Sequence, residues 1–205
     1  MSGYITVPYV IAYANELLQD PIQFEPHAHE LRLAYSQCRR SDWVHGILRA
    51  RVRDLRDRPG KRGPERMRKL NTRRQWRCMD KLLCQVCGKP ATDLETGHIP
   101  WLLTETVFDA TSEDSGRTNA PPTCWNCIAY AREECPMLQN DAALHIVTSA
   151  VSVGVLADLY EPGVFSEQPV LARHNVFVAW DAHRYHASAL ATSQVVELHG
   201  MTPVP

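Results

Sequence analysis

The sequence predicts an α+β fold with a basic helical N-terminal half, a cysteine-containing module and a β-rich C-terminal part. Apolar residues recur at helical spacing before residue 81, two C-x2-C pairs stand in the middle of the chain, and β-branched runs follow residue 140. We expect segment boundaries at 1–81, 82–139 and 140–205. The chain has 205 residues, 44% of them hydrophobic, a composition typical of a globular protein.

Two helices are predicted in the N-terminal half. Ser41 is a favourable N-cap, and apolar residues between positions 43 and 55 recur near helical spacing, which predicts a helix over 41–57. The stretch DRPGKRGPE then breaks the chain. A second helix is predicted over 64–80, leading directly into the first cysteine pair. A further helix is predicted over 121–138, with proline at its N-terminal edge.

The charges are distributed unevenly, although the net charge is only −1. Residues 39–81 hold 16 Lys/Arg and 5 Asp/Glu, a formal charge of +11, and the rest of the chain carries −12. A basic region of this kind is typical of nucleic-acid binding, in which arginines contact phosphates and exposed tryptophans stack on bases. The residues predicted to do so are Arg49, Arg53, Arg56, Arg73, Arg74 and Arg77, with Trp43, Trp76 and Trp101 for stacking.

Two other roles are open for the basic region. It could form a solvated face that pairs with the acidic half of the same chain, since the two charges nearly cancel. It could also join subunits head to tail in a homo-oligomer. The first ten residues lack the pattern of a secretory signal, and no apolar run is suited to span a membrane. We therefore expect a soluble cytoplasmic protein.

Four of the seven cysteines form two pairs, Cys84 with Cys87 and Cys124 with Cys127. In a reducing compartment, paired cysteines favour metal ligation over disulfides. Four thiolates at C-x2-C spacing suit tetrahedral Zn²⁺, and Gly88 allows the tight turn after the first pair. An iron–sulfur cluster could use the same ligands, and unmetallated thiols are a third interpretation. We predict structural Zn²⁺.

The stretch CQVCGKPATDLETGHIPWLL…TNAPPTCWNCIAY, from residue 84 to 130, resembles a treble-clef zinc finger of the HNH endonuclease type. The resemblance implies that His98 is the general base and that Asn119 orients the catalytic loop. Two positions depart from the family pattern: Gly97 replaces a metal-binding acid, and Ile128 replaces a ligating His or Asn. Neither side chain binds the divalent ion that such catalysis needs. We therefore expect a degenerate module without nuclease activity.

A wider stretch, over roughly residues 70–140, is similar to small Cys-rich actinomycete proteins. That second resemblance implies no chemistry. Together, these features favour a zinc-stapled protein that associates with nucleic acid through residues 39–81.

Two enzymatic alternatives stay open. In an active HNH endonuclease, His98 would act as the general base and a nearby acid would replace the missing ligand; the candidates are Asp93, Glu95 and Glu105. In an enzyme of small-molecule (secondary) metabolism, zinc would be only structural and the site would lie in ARHNVFVAWDAHRYH. That segment offers His174, Asp181, His183 and His186.

Overall fold

The fold is mostly β. The computed structural model describes residues 7–17, 20–104, 107–164 and 166–204. The strands are β1 Ile11–Tyr13, β2 Ile22–His27, β3 Glu30–Tyr35, β4 Trp43–Val44, β5 Ile47–Arg49, β6 Glu65–Leu70, β7 Ile99–Leu103, β8 Phe108–Ser112, β9 Ser115–Thr118, β10 Ala143–Val147, β11 Ser149–Gly163, β12 Ser166–Ala179, β13 Ala189–His199 and β14 Thr202–Pro203. The helices are α1 Pro59–Arg62, α2 Thr72–Lys81, α3 Trp125–Glu134 and α4 Pro136–Asn140, with 3₁₀ turns at Ala14–Glu16, Arg40–Asp42 and His183–Ser188.

A seven-stranded sheet occupies the centre of the molecule. Its main order is β12-β11-β13-β5-β4, with β9 also beside β13 and β8 beside β9. Strand β13 is antiparallel to β11 and β9 but runs parallel to β5. Because β5 comes from the N-terminal half and β13 from the C-terminal end, the two halves of the chain share this sheet. Strands β14, β10 and β7 form a separate three-stranded sheet, and β1-β6 and β2-β3 form two-stranded sheets.

Helix α2 packs against the central sheet. Its side chains Trp76 and Met79 enter two apolar clusters that include residues of β11, β13 and β7. Gln75 is fully buried, and its amide exchanges hydrogen bonds of 2.9 Å with the backbone N–H and C=O of Gln194 in β13. This pair satisfies backbone groups of β13 and fixes the helix on the sheet.

The prediction of a helical N-terminal half, and with it the α+β class as stated, is wrong. Residues 41–57 contain a 3₁₀ turn and the hairpin β4–β5, whose two-residue loop is His45–Gly46. Both loop residues have positive φ, 49° and 84°, as a type I′ hairpin turn requires. The apolar residues of this hairpin face two separate clusters: Val44 and Ile47 pack in one, and Trp43 and Leu48 pack in the other.

The second predicted helix is only half present. Residues 65–70 form β6, which pairs with β1, and the helix begins at Thr72 after the N-cap Asn71. The Asn71 side chain accepts a hydrogen bond from the backbone N–H of Arg74, as N-cap residues do. The predicted helix at 121–138 corresponds to α3 and α4. In the part of the chain that the structure covers, no helix has the length and apolar character needed to cross a membrane.

Candidate metal centre

The four cysteines of the two C-x2-C pairs lie together. Their sulfur atoms are all within 4.8 Å of one another, and the four could hold one metal ion. The Sγ atoms of Cys87 and Cys124 are 3.8 Å apart. A tetrahedral site with metal–sulfur bonds of about 2.3 Å places its sulfurs roughly 3.8 Å apart, so the donor set fits such an ion. All four thiols are free of disulfides.

The first pair sits on a tight turn. The N–H of Cys84 donates to the carbonyl of Lys89, and the N–H of Gly88 donates to the carbonyl of Cys84. The N–H of Val86 points at the Cys84 sulfur at 3.4 Å. Gly88 has a φ of +73°, and a Cβ there would lie 2.8 Å from the Tyr9 ring. Glycine is therefore required both by the backbone conformation and by the close approach of Tyr9.

The second pair begins helix α3. Cys124 is the N-cap residue, and the N–H of Cys127 donates to the Cys124 carbonyl at 2.9 Å. An apolar cluster that includes Leu102, Ile128 and Leu144 packs beneath the sulfurs. Cys84 is fully buried in this cluster, whereas Cys87 is exposed. The metal centre therefore joins the turn, helix α3 and the three-stranded sheet.

The thiols of the cluster differ in their acidity. Burial, together with the charge of Cys84, raises the pKa of Cys124 to about 11, and burial also raises the pKa of Cys127. Burial opposes ionisation of Cys87 as well, but hydrogen bonds from the Lys89 N–H and the neighbouring thiols lower its pKa overall. Since the raised pKa values keep Cys124 and Cys127 protonated at neutral pH, metal binding must displace protons from these two thiols.

The two residues proposed to act in catalysis have separate surroundings. His98 is exposed, and its backbone closes a turn in which the N–H of Asp93 donates to the His98 carbonyl. The side-chain amide of Asn119 donates to the Ser193 hydroxyl on β13. The backbone carbonyl of Asn119 accepts a hydrogen bond from the Gln75 side chain of α2. Each residue therefore has its hydrogen bonds in a different part of the fold. Ile128 is buried in the apolar cluster beneath the cysteines.

The acids near His98 form no metal cluster in the described chain. The Oδ1 atom of Asp93 accepts hydrogen bonds from the N–H groups of Glu95 and Thr96 and from the Thr96 hydroxyl. These bonds hold the pKa of Asp93 below its usual value, so this carboxylate stabilises the turn. Glu105 lies outside the described residues.

The C-terminal histidines also do not form a second metal cluster among the described residues. His174 pairs with Asp158 at 2.6 Å, on neighbouring strands β12 and β11. His183 and His186 meet edge to face with ring centroids 5.0 Å apart, and His186 is buried against the Ala179 carbonyl. Their positions are explained by packing of the 3₁₀ turn on the sheet.

Two of the six predicted nucleic-acid arginines are directed into the protein. Arg74 is fully buried between Glu16 and Asp54, so its assignment to phosphate contact is corrected. Arg56 is half-buried and donates to the carbonyls of Val7 and Pro8. Sequence reasoning missed Glu16, which is fully buried, because its partner Arg74 is 58 residues away and no local pattern signals the pair.

The other predicted arginines are at the surface or at its edge. Arg53, Arg73 and Arg77 are exposed, and Arg49 is half-buried beside Trp76. Two of the predicted stacking residues have no ring surface open to a base, because Trp76 and Trp101 are only 5% and 0% exposed. Arg32 covers the ring of the half-buried Trp43 at 4.2 Å. Any nucleic-acid contact would therefore be to phosphates rather than through these rings.

Arg53 lines an open groove of about 600 Å³, which we call the cationic groove. Its charged residues are Arg53, Arg58 and Lys61, and no acidic residue of the described chain lines it. None of the three cations forms an ion pair with a described residue. The charge pattern of the sequence does not distinguish these three cations from nearby arginines that form ion pairs.

Comparison of the chain with protein-family models, with curated proteins and with solved structures gave no match in any of the three.

Proposed function

We propose that this protein associates with nucleic acid, is stabilised by a structural zinc ion and has no nuclease activity. The observation that supports it most is the cationic groove, where three cations that pair with no described carboxylate surround one open surface. Phosphate backbones bind such surfaces because Lys and Arg displace condensed counterions. The buried tryptophans agree with binding that follows the phosphates and not the base sequence.

The donor set supports zinc as the metal of this site. Four thiolates in tetrahedral spacing favour Zn²⁺, and among the described residues no acid or histidine joins the four cysteines, which an apolar cluster surrounds. Zinc in such a closed site stabilises the fold and leaves no coordination position for a substrate. The role proposed for the ion is therefore structural.

The metal assignment is tested by metal analysis of the purified protein and of two serine variants. We expect one zinc per chain in the wild type and in Cys38→Ser, whose thiol is exposed and lies outside the cluster. The Cys124→Ser variant is expected to lose the zinc and to unfold at lower temperature. Iron with a visible absorption band in the wild type would contradict the zinc assignment.

The nucleic-acid assignment is tested by fluorescence anisotropy with DNA and RNA over a range of salt concentrations. A triple variant, Arg53→Gln with Arg58→Gln and Lys61→Gln, removes the cationic groove. The matched control removes three exposed cations of β6: Arg66→Gln, Arg68→Gln and Lys69→Gln. The logarithm of the association constant decreases linearly with the logarithm of the salt concentration. We expect the magnitude of this slope to decrease by about 2 to 3 in the groove variant only. Absence of binding at low salt, or equal losses in both variants, would contradict the proposal.

The absence of nuclease activity is tested with Mg²⁺ or Mn²⁺ and plasmid DNA. We expect no cleavage above background, and the same result for His98→Ala. Cleavage that disappears in His98→Ala would favour the HNH endonuclease alternative instead.

A further inference from the structure

A second groove lies where the end of β5, the turn Arg40–Asp42 and the start of α2 meet. Its volume is about 490 Å³, which is within the range of small-ligand sites. We call it the arginine groove. Its charged residues are Asp20, Arg39, Asp42, Arg49, Arg51 and Arg73, and Ser41 and Thr72 add two hydroxyl groups.

One arginine of this groove, Arg51, is bound to other residues of the protein. The guanidinium of Arg51 binds Asp20 at 3.0 Å and Asp42 at 2.8 Å, and it also donates to the carbonyl of Gln37. It stacks on the ring of Tyr35 at 4.1 Å. Since Arg51 has its donors engaged on all sides, it holds the two aspartates in place and is not open to a ligand.

Within the described part of the chain, the other three arginines of the groove have no carboxylate partner. Arg39, Arg49 and Arg73 form no ion pair with any described residue. Arg49 is held in place by the Trp76 ring at 5.4 Å and by the Ser41 carbonyl at 3.4 Å. Four arginines and two aspartates give the lining a formal charge of +2.

We infer that the arginine groove binds a phosphomonoester group. A phosphomonoester carries nearly two negative charges at neutral pH, which matches the charge of the lining. Guanidinium groups bind phosphate oxygens through paired hydrogen bonds, and hydroxyls such as that of Thr72 add further donors. The ligand is either a free small phosphate ester or the terminal 5′-phosphate of a nucleic acid. The inference does not require that the cationic groove binds nucleic acid.

Isothermal titration with AMP, inorganic phosphate and adenosine tests the site in the full-length protein. We expect saturable 1:1 binding of AMP and of phosphate but not of adenosine. In Arg49→Gln/Arg73→Gln the affinity for AMP is expected to fall at least about tenfold, because charge-assisted hydrogen bonds are lost. The control Arg66→Gln/Arg68→Gln removes two exposed arginines of β6 that lie outside the groove, and it is expected to bind AMP as the wild type does.

Three results would overturn the inference. They are no binding of AMP or phosphate, binding of adenosine as tight as that of AMP, and an equal loss of AMP affinity in the groove and control variants. Because Arg49 also packs on Trp76, the single variant Arg73→Gln is measured alongside. Arg73 is exposed, so its loss does not disturb the core, and a weaker affinity for AMP is expected there too. Unchanged AMP affinity in Arg73→Gln would equally count against the site.

Oligonucleotides with and without a 5′-phosphate distinguish the two sources of the ligand. Tighter binding of the 5′-phosphorylated strand, lost in Arg73→Gln, assigns the groove to nucleic-acid ends. Equal affinity for both strands, together with binding of AMP, assigns it to free phosphate esters. Binding of both oligonucleotides that is lost only when the cationic groove is removed, with no AMP binding, supports the proposed function and refutes the phosphomonoester site.

Discussion

The guanidinium of Arg74 and the carboxylate of Glu16 form a fully buried ion pair, with nitrogen–oxygen distances of 2.6 and 2.7 Å. Glu16 also accepts hydrogen bonds from the N–H groups of Tyr13 and Leu55 and from the Asn71 amide. The pair therefore ties helix α2 to three segments of the N-terminal half. Its polar atoms are satisfied, which is the condition under which a buried charge is tolerated.

The variant Arg74→Met is expected to lower the free energy of unfolding by about 3 to 5 kcal/mol, because Glu16 would keep a buried charge without its partner. Arg73→Met, on the same helix but exposed, is expected to change it by about 0.5 kcal/mol or less. Urea denaturation of both variants measures the difference. A loss in Arg74→Met no larger than that in Arg73→Met would contradict the structural role of the pair.

Acid should weaken the protein through the same pair. Burial opposes ionisation of Glu16, but the bonds from Arg74, Tyr13 and Leu55 outweigh it and lower its pKa below the ordinary 4.5. The folded state thus binds this proton less readily than the unfolded state does. The stability from Glu16 is complete above pH 4.5 and is lost as the pH falls towards its folded pKa.

Urea unfolding between pH 6 and pH 3.5 should therefore show a steeper loss of stability in the wild type than in Glu16→Gln. Acid release of the metal affects both proteins, so it cancels in the comparison. Parallel curves would mean that Glu16 does not titrate differently in the two states.

Metal affinity should depend steeply on pH. Burial raises the pKa of Cys124 to about 11 and raises that of Cys127 as well, so at least two protons leave when a metal binds at neutral pH. Competition with a chelator between pH 6 and pH 8 should give an apparent zinc affinity that rises about a hundredfold or more per pH unit. A dependence of tenfold or less would indicate that the thiols are already ionised before the metal binds.

The turn of the metal centre should tolerate no side chain at Gly88. In Gly88→Ala, the new Cβ would meet the Tyr9 ring at 2.8 Å, in addition to the strain of a positive φ. Gly97→Ala is the matched control, because its φ is +72° but the space around it is open. We expect about 1 to 2 kcal/mol of destabilisation in Gly97→Ala and a larger loss, with weaker zinc binding, in Gly88→Ala. An equal loss of stability in the two variants would show that the contact with Tyr9 does not affect stability.

What could be predicted from the sequence depended on whether the signal was local. The clustering of the four cysteines is predicted from the two C-x2-C pairs, and it is observed. The hairpin at His45–Gly46 was also locally encoded, because Gly46 follows a residue that can adopt positive φ and apolar residues flank the pair. The apolar residues that flank this turn also recur near helical spacing, which is why the sequence predicts a helix where the hairpin stands.

Long-range pairing could not be predicted in the same way. Six arginines looked equivalent in the basic region, but Arg74 finds its partner Glu16 58 residues away. Similarly, the parallel contact of β5 with β13 joins distant parts of the chain and has no local pattern. Side chains that face solvent and those that enter the core therefore had the same sequence signature.

The segment from Tyr9 to Ile11 lies between the metal turn and the buried ion pair. The N–H groups of Tyr9 and Val10 donate to the carbonyls of Val86 and Gln85, and Arg74 donates to the carbonyls of Tyr9 and Ile11. If the four cysteines hold zinc as proposed, we expect the turn and this N-terminal segment to unfold as one cooperative unit. Withdrawal of the ion should accelerate amide hydrogen exchange at Tyr9 and Val10, so that metal availability governs the order of a segment that contains no ligand.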